Sequence, residues 1–500
     1  MLEIFRTMLL DKTLAAPLYL QLYEAIKNLI DEGTLVAHSR LPSIRSLAAI
    51  LNVNQVTVVS AFKRLGHEEY VYSKPGSGTY ISNTLSLKGM AGSGSSNIIL
   101  DELYQQDDLP FLASGQVTLN ENTINFASAT PTSDLFPIDN FKVVLNDILD
   151  RDKGNAFSYQ DIRGFLPLRE CISQLMQKSN IKSNAENIQI ISGAQQGIDI
   201  ISKALLNQGD YVITESPTYT GAIAVFKSRG AEICDVEINK DGPDLNVLEY
   251  NLKKYNCKLI YTIPSFQNPT GHSYSNLKRR ELLKLAERYN AYVIEDDYVS
   301  DLDFDNRGFV SLKSEDKGNR VIFIKSFSKI FMPGLRLGFM IVPSDIHGNI
   351  LEAKHTSDIS TSGLIQRAFD LYIRMGFWDK HFSFMYDIYK ERYFKTLEAL
   401  DNCLSDGVTY FKPGGGLNIW LDMPYGFPVG SLFKLSSSND IVFAPGKIFY
   451  SNNLPQRLNN IRLSFASAYT EQIRPGIEKL CSIISSLQQK QDSHRNMPIL

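Results

Sequence analysis

From about residue 121 onward, short apolar runs alternate with helical stretches, and no other feature of the chain constrains its fold so tightly. The alternation is the pattern of an α/β domain on a mostly parallel sheet. Each run ends in a polar cluster. Ile188–Ile191 leads into Ser192-Gly193-Ala194-Gln195-Gln196-Gly197, and Tyr211–Thr214 into Glu215-Ser216-Pro217-Thr218-Tyr219. Leu259–Ile263 leads into Gln267-Asn268-Pro269-Thr270-Gly271, and Val293-Ile294 into Glu295-Asp296-Asp297-Tyr298. Val321–Ile324 leads into Ser326-Phe327-Ser328-Lys329, with Pro333-Gly334-Leu335-Arg336-Leu337-Gly338 just beyond. Ligands of open α/β sheets bind at the carboxyl ends of the strands, so these polar groups are expected to converge there.

At 500 residues the chain is too long for a single domain of ordinary size. A stretch over residues 83–120, small and flexible at Lys88–Ser96 and polar at Gln105–Asp108, reads as a linker. It separates a head, residues 1–82, from a body, residues 121–488; residues 489–500 form a polar tail, and the stretch Ser485–Leu500 is expected to fray. In the head, Leu18, Leu22, Ile26, Leu29 and Ile30 fall at helical spacing over residues 17–32. A second short helix starts at Ser43, a good N-cap. After a turn at Asn52-Val53-Asn54, Val58, Ala61, Phe62 and Leu65 share one helical face, which leaves Gln55, Thr57, Ser60 and Arg64 outward. Two short helices joined by a tight turn form the helix-turn-helix pattern, whose second helix enters the major groove. Tyr70–Ser73, Lys74-Pro75-Gly76-Ser77-Gly78 and Thr79–Ile81 then read as a β-hairpin, the wing. Residues 38–80 hold Arg40, Arg45, Lys63, Arg64 and Lys74 against Glu68 and Glu69, a local basic excess in a chain whose net charge is −3. The spacing alone also fits a small three-helix docking module with a solvated face.

The string Leu41-Pro42-Ser43-Ile44-Arg45-Ser46-Leu47-Ala48, continuing through Thr57 to Arg64-Leu65 and on to Gly76-Ser77-Gly78-Thr79-Tyr80, resembles the GntR family of winged-helix repressors. The resemblance implies that Arg45, Asn54, Gln55 and Thr57 touch bases or phosphates of duplex DNA and that the Lys74–Gly78 tip, Lys74 and Gly76 foremost, reaches the minor groove. Many members carry a basic residue where this chain has Gln55. A Gln pairs bidentately with adenine rather than guanine, so the preferred operator differs accordingly.

The polar groups of the body suit a phosphorylated pyridine aldehyde. Such a cofactor needs a lysine amine for a Schiff base, a carboxylate at the pyridine nitrogen and a donor at the phenolic oxygen. It also needs an aromatic over the ring, and helix-start amides, hydroxyls and an arginine at the phosphate. In this order and spacing, Ser326-Phe327-Ser328-Lys329 and Asn268-Pro269-Thr270-Gly271 resemble the fold-type I aminotransferases over roughly residues 121–485. The resemblance implies that Lys329 holds pyridoxal phosphate as an internal aldimine and that Asp296 pairs with the ring nitrogen. It places Asn268 and Tyr298 at the phenolic oxygen and Tyr219 over the ring. Ala194 and Gln195, through backbone amides, with Ser326, Ser328 and Arg336, would hold the phosphate. Arg462 would grip an α-carboxylate, and Tyr159 would cross a dimer interface. Relatives often have a hydroxyl where this chain has Ala194; one side-chain bond is lost and the amide remains.

Head, linker and body in that order resemble the MocR/GabR transcription regulators. The resemblance implies a homodimer that binds promoter DNA and senses an amine or amino acid as an external aldimine, with transamination vestigial or absent. Two other readings stay open: an active aminotransferase carrying a DNA-binding module, and a sensor of pyridoxal phosphate itself. Five scattered cysteines with no Cys-x-x-Cys argue against a disulfide framework or a zinc site and read as separate thiols. No apolar stretch approaches the roughly 20 residues of a membrane span. Met1–Leu10 carries Glu3 and Arg6 and lacks a small-residue cleavage site, so a cytoplasmic protein is expected.

Overall fold

Apolar spacing in the head closes a small core, and the computed structural model shows how. It describes residues 5, 18–31, 34–35, 39–51, 53–67, 70–74, 78–81, 122–451 and 459–495. Gly76 and the expected linker, 83–120, lie outside the described residues, as does the side chain of Lys74. The chain divides into two compact units near residue 105.

In the first unit, α1 (Leu18–Asp31), α2 (Ile44–Leu51) and α3 (Gln55–His67) are followed by a hairpin of β1 (Val71–Lys74) and β2 (Gly78–Ile81). Leu22, Ile26 and Ile30 of α1 pack with Leu47 and Ala48 of α2 and with Val58, Ala61, Phe62 and Leu65 of α3. Both short helices start on side-chain caps: the Ser46 amide donates to Ser43 Oγ at 3.1 Å, and the Val56 amide to Asn54 Oδ1 at 3.1 Å. The hairpin is antiparallel with Val71 opposite Ile81. Leu41 and Ile81 amides, donating to the Thr79 and Ser39 carbonyls, tie the segment before α2 to the wing.

The second unit opens with β3 (Ile124–Asn125), α4 (Ile138–Asp152) and α5 (Leu166–Lys178). An eight-stranded sheet follows, made of β4 (Ile188–Ile191), β5 (Tyr211–Ser216), β6 (Glu232–Asn239), β7 (Gly242–Pro243), β8 (Leu259–Thr262), β9 (Tyr292–Asp297), β10 (Val321–Ser326) and β11 (Gly338–Ile341). Their order is β4-β11-β10-β9-β8-β5-β6-β7. The five central strands from β10 to β6 are parallel, while β11 runs antiparallel to both its neighbours and β7 to β6. Crossovers carry α6 (Ala194–Leu205), α7 (Thr220–Ser228), α8 (Leu245–Tyr255) and α9 (Asn276–Arg288). Both faces of the sheet are covered, which is why the strands read as unbroken apolar runs: in β10, Ile322 and Ile324 enter one core with Ile294 and Met340, while Phe323 enters another with Phe339.

Beyond the sheet come α10 (Leu312–Glu315), α11 (His347–Asp358), α12 (Gly363–Arg374) and the long α13 (Phe377–Cys403). A second, antiparallel sheet has the order β12-β13-β16-β15, from β12 (Thr409–Tyr410), β13 (Asn418–Asp422), β15 (Ala444–Pro445) and β16 (Asn460–Ser464). Between them, α14 (Val429–Ser437) leads to β14 (Ile441–Val442), which pairs with β3 and ties the two ends of the body together. The last helix, α15 (Ile473–Arg495), runs well into the polar stretch expected to fray. Leu487 is buried and Gln488 donates to the Asp406 carbonyl at 3.0 Å, so packing holds the helix into that stretch.

The reading of five separate thiols is corrected for one pair: Cys403 at the end of α13 and Cys481 in α15 are joined by a disulfide. They stand far apart in sequence and meet only because the two helices pack together, which spacing does not reveal. Cys171, Cys234 and Cys257 are free and buried. Among the described residues no helix is long and apolar enough to cross a membrane.

Candidate functional site

Three polar groups share one electrostatic neighbourhood: Asp296 near the end of β9 and Lys329 just past β10, at the carboxyl edge of the large sheet, and Arg462 in the middle of β16 of the second sheet. Asp296 is buried. Its Oδ2 accepts a hydrogen bond from the Tyr261 hydroxyl at 2.7 Å, and its Oδ1 is buried with no partner. Burial, above all, raises its pKa to about 6; Asp297 and Glu215 add to the rise, against Tyr261 and Lys329. The same burial drops the Lys329 ammonium to about 8, with Arg462 and Arg336 pushing the same way and Asp296 opposing. Arg462 donates from Nη1 to Asn268 Oδ1 at 2.9 Å and from Nη2 to the Ala127 carbonyl, and its guanidinium lies 5.0 Å from the Phe449 ring centroid. Its Nε is buried without a partner. Burial lowers this group too, to about 10, with the Tyr298 and Tyr219 hydroxyls opposing.

An anion cradle lies beside these groups. Gly193, at φ 95°, starts α6 with no side-chain cap, so the first amides of the helix face outward with the positive end of its dipole. Arg336, held in a left-handed conformation at φ 51°, donates from Nη2 to the Ser192 carbonyl at 2.8 Å. A Cβ on Gly193 would stand 2.6 Å from that same nitrogen, so only glycine lets the guanidinium lie over the helix start. Ser326 and Ser328 are buried, and the Ser328 amide donates to Ser326 Oγ at 3.3 Å. Gln195 donates from Nε2 to the Gly221 carbonyl at 2.9 Å, next to the Tyr219 ring, while its Oε1 is buried and unpartnered.

The loop bearing Asn268 is fixed from below by Glu215, a fully buried carboxylate. It accepts from the Tyr274 hydroxyl, from Thr262 Oγ1 at 2.7 Å, from the Ile263 amide at 2.8 Å and from Gln267 Nε2 at 2.8 Å. Arg279 donates to the Pro264 and Val310 carbonyls and pins the same loop from its outer side. Tyr298 donates its hydroxyl proton to the Phe266 carbonyl at 2.6 Å and accepts from Asn418 Nδ2 at 3.0 Å.

Lys329, Asp296, Asn268, Tyr219, Tyr298 and Arg462 thus come together, with Ala194, Gln195, Ser326, Ser328 and Arg336 at the cradle. Tyr159 does not join them: it is 82% exposed, and among the described residues no hydrogen bond links it to Lys329, Asp296 or Arg462. The sequence reading missed Tyr261, Asn418 and the role of Glu215. Tyr261 sits inside an apolar run, and the one available signal was a hydroxyl on the strand next to the one that ends in Asp296. In the head, Arg45, Asn54 and Gln55 are exposed and Thr57 half-buried, all at the start of α2 or α3.

Residues 117–480 match the family described as "Aminotransferase class I and II", and residues 18–81 the "Bacterial regulatory proteins, gntR family". The chain is 31% identical to a 2-aminoadipate transaminase of Thermus thermophilus over 74% of its own length and 92% of that protein. Across both units it is 28% identical to the HTH-type transcriptional regulator NorG of Staphylococcus aureus, covering 90% of this chain and 100% of that one. It is 27% identical to the uncharacterized HTH-type transcriptional regulator YisV of Bacillus subtilis, covering 92% and 95%. Among solved structures, the multiple substrate aminotransferase of Thermococcus profundus superposes with a TM-score of 0.71 at 28% identity, over 79% of this chain and 98% of that one. The α-aminoadipate aminotransferase LysN of Thermus thermophilus, complexed with N-(5'-phosphopyridoxyl)-L-leucine, superposes with a TM-score of 0.69 at 30% identity, over 75% and 97%.

Proposed function

Because the chain belongs to the aminotransferase class I and II family and carries a GntR head on the same polypeptide, we propose that it is a transcription regulator whose body senses an amine or amino acid. Pyridoxal phosphate is the cofactor of this family. When bound, it supplies an aldehyde that condenses with primary amines and a pyridine ring that withdraws electrons. The residues present fit it: the unpartnered Asp296 Oδ1 suits a protonated ring nitrogen, and the uncapped start of α6 with Arg336 suits a phosphate.

Lys329 is the proposed attachment point. With a pKa near 8, about one such amine in ten is unprotonated at pH 7, far more than for a surface lysine. Asn268 keeps its amide protons for the phenolic oxygen, since its Oδ1 already accepts from Arg462. Tyr298 can serve that oxygen only if its hydroxyl turns away from Phe266. Tyr219 covers the ring, and Arg462 offers an α-carboxylate the bidentate partner that a lysine could not. The observation that carries the reading is the pairing of this buried site with an exposed, capped recognition helix in one chain.

Ile138, Val143, Leu149, Phe157, Tyr159 and Leu166 leave large apolar side chains exposed within one short stretch, which supports a homodimer through that face, with Tyr159 serving the second copy's site. A DNA-binding head supports the cytoplasm as its place of work. In this proposal residues 1–82 are the head, 83–120 the linker and 121–488 the body.

The test is to titrate the holoprotein with a panel of amines and amino acids, following visible absorbance and affinity for its own promoter region together. The cognate amine is expected to change both, Lys329→Ala to lack the absorbance that borohydride traps, and Arg462→Ala to lose the response to any carboxylate-bearing effector. Steady turnover of amino and keto acids at about 1–10³ per second, with DNA binding indifferent to every amine, would replace this reading with an aminotransferase.

A further inference from the structure

The recognition helix places an apolar side chain where a polar reader was expected. The buried stripe of α3 is Val58, Ala61, Phe62 and Leu65. At about 100° per residue, Val56 lies roughly 160° round from Val58, whereas Gln55 lies only about 60° away, on the flank. Val56 is accordingly 67% exposed, at the outermost point of the first turn, with Ser60 following it one turn on. The turn is well fixed, since the Val56 amide donates to the Asn54 cap. Arg45 and Arg64 are exposed in the same unit, so the surroundings suit a polyanion rather than an apolar partner.

First-turn residues of such helices meet base edges in the major groove. Valine has neither donor nor acceptor to offer there, and the apolar group the groove presents is the thymine 5-methyl. We propose that Val56 is a specificity residue that reads the methyl group of a thymine in each half-site, with Gln55 reading a neighbouring base from the flank. The inference rests on the head binding duplex DNA and goes beyond it by naming a residue and the group it recognises.

The experiment uses the full-length holoprotein and a duplex that it selects from a random-sequence pool. Each thymine of that duplex is replaced in turn by deoxyuridine, which removes the methyl and nothing else. One thymine per half-site is expected to cost about fourfold in affinity, the worth of one buried methyl. Val56→Ala should bind more weakly and become indifferent to that position, while Val56→Thr, which keeps a methyl, should stay sensitive. Because Val56 is exposed, neither change should alter the melting of the head or the salt dependence of binding. Salt-dependent binding with no thymine methyl that matters, or a methyl effect that survives Val56→Ala, overturns the role given to Val56 alone. Failure of the wild type to select any duplex, with no salt-sensitive affinity for DNA, overturns the DNA reading and this inference with it.

Discussion

Burial moves Asp296 and Lys329 in opposite directions, the carboxyl up to about 6 and the ammonium down to about 8, so the two groups nearly meet at neutral pH. For Asp296 the consequence can be signed. A carboxyl whose folded pKa lies above its unfolded value binds its proton more tightly when folded, so its contribution to stability is full below the unfolded pKa and is lost as pH rises through the folded one. Protein stripped of cofactor should therefore lose about 3 kcal/mol from this group between about pH 4 and pH 6. Urea midpoints of the body across that window check it, and Asp296→Asn should flatten the slope. The residues that set this value were unequally legible. Asp296 itself stood out as a carboxylate after an apolar run. Tyr261, which bonds it, did not, because a tyrosine inside a buried strand reads as core until the neighbouring strand is known.

The start of α6 is one element doing one task, and glycine is what permits it. Gly193→Ala would combine a Cβ at 2.6 Å from Arg336 Nη2 with a φ of 95° that residues bearing a Cβ rarely adopt. Strain of about 1–3 kcal/mol at that point, or displacement of the guanidinium, should weaken pyridoxal phosphate binding about tenfold or more. Fluorescence titration of the stripped protein measures it. On the far side of β10, Lys325 pairs with Asp297 and Asp301, each at 2.8 Å, in a half-buried ion cluster. Lys325→Met would leave Asp297 without its cation and should cost about 3 kcal/mol, read in the same urea assay. The central strands were legible as apolar runs because both faces of the sheet are covered. The small sheet of β13 and β16 was not: its strands are joined across a long stretch of chain, and Asn418 reaches Tyr298 only through that pairing. The Cys403–Cys481 bond was hidden for the same reason.

For the molecule as a whole, regulation requires that the effector's binding energy differ between two arrangements of the chain, since equal affinity for both shifts nothing. If the exposed apolar face of residues 138–166 joins two copies, Phe157→Asp should shift the protein from dimer to monomer in sedimentation and weaken operator binding at least tenfold, while the body stays folded. At the end of β10 two lysines four residues apart stand in opposite electrostatic surroundings. Burial alone would lower Lys325, but Asp297 and Asp301 outweigh it and hold that ammonium above the ordinary lysine range. Lys329, a turn further on, has Asp296 opposing its burial but two arginines reinforcing it, and it keeps a usable unprotonated fraction. A lysine locked as a cation is chemically silent toward an aldehyde. This stretch of chain therefore offers one nucleophile and conceals the other, by charge rather than by shape.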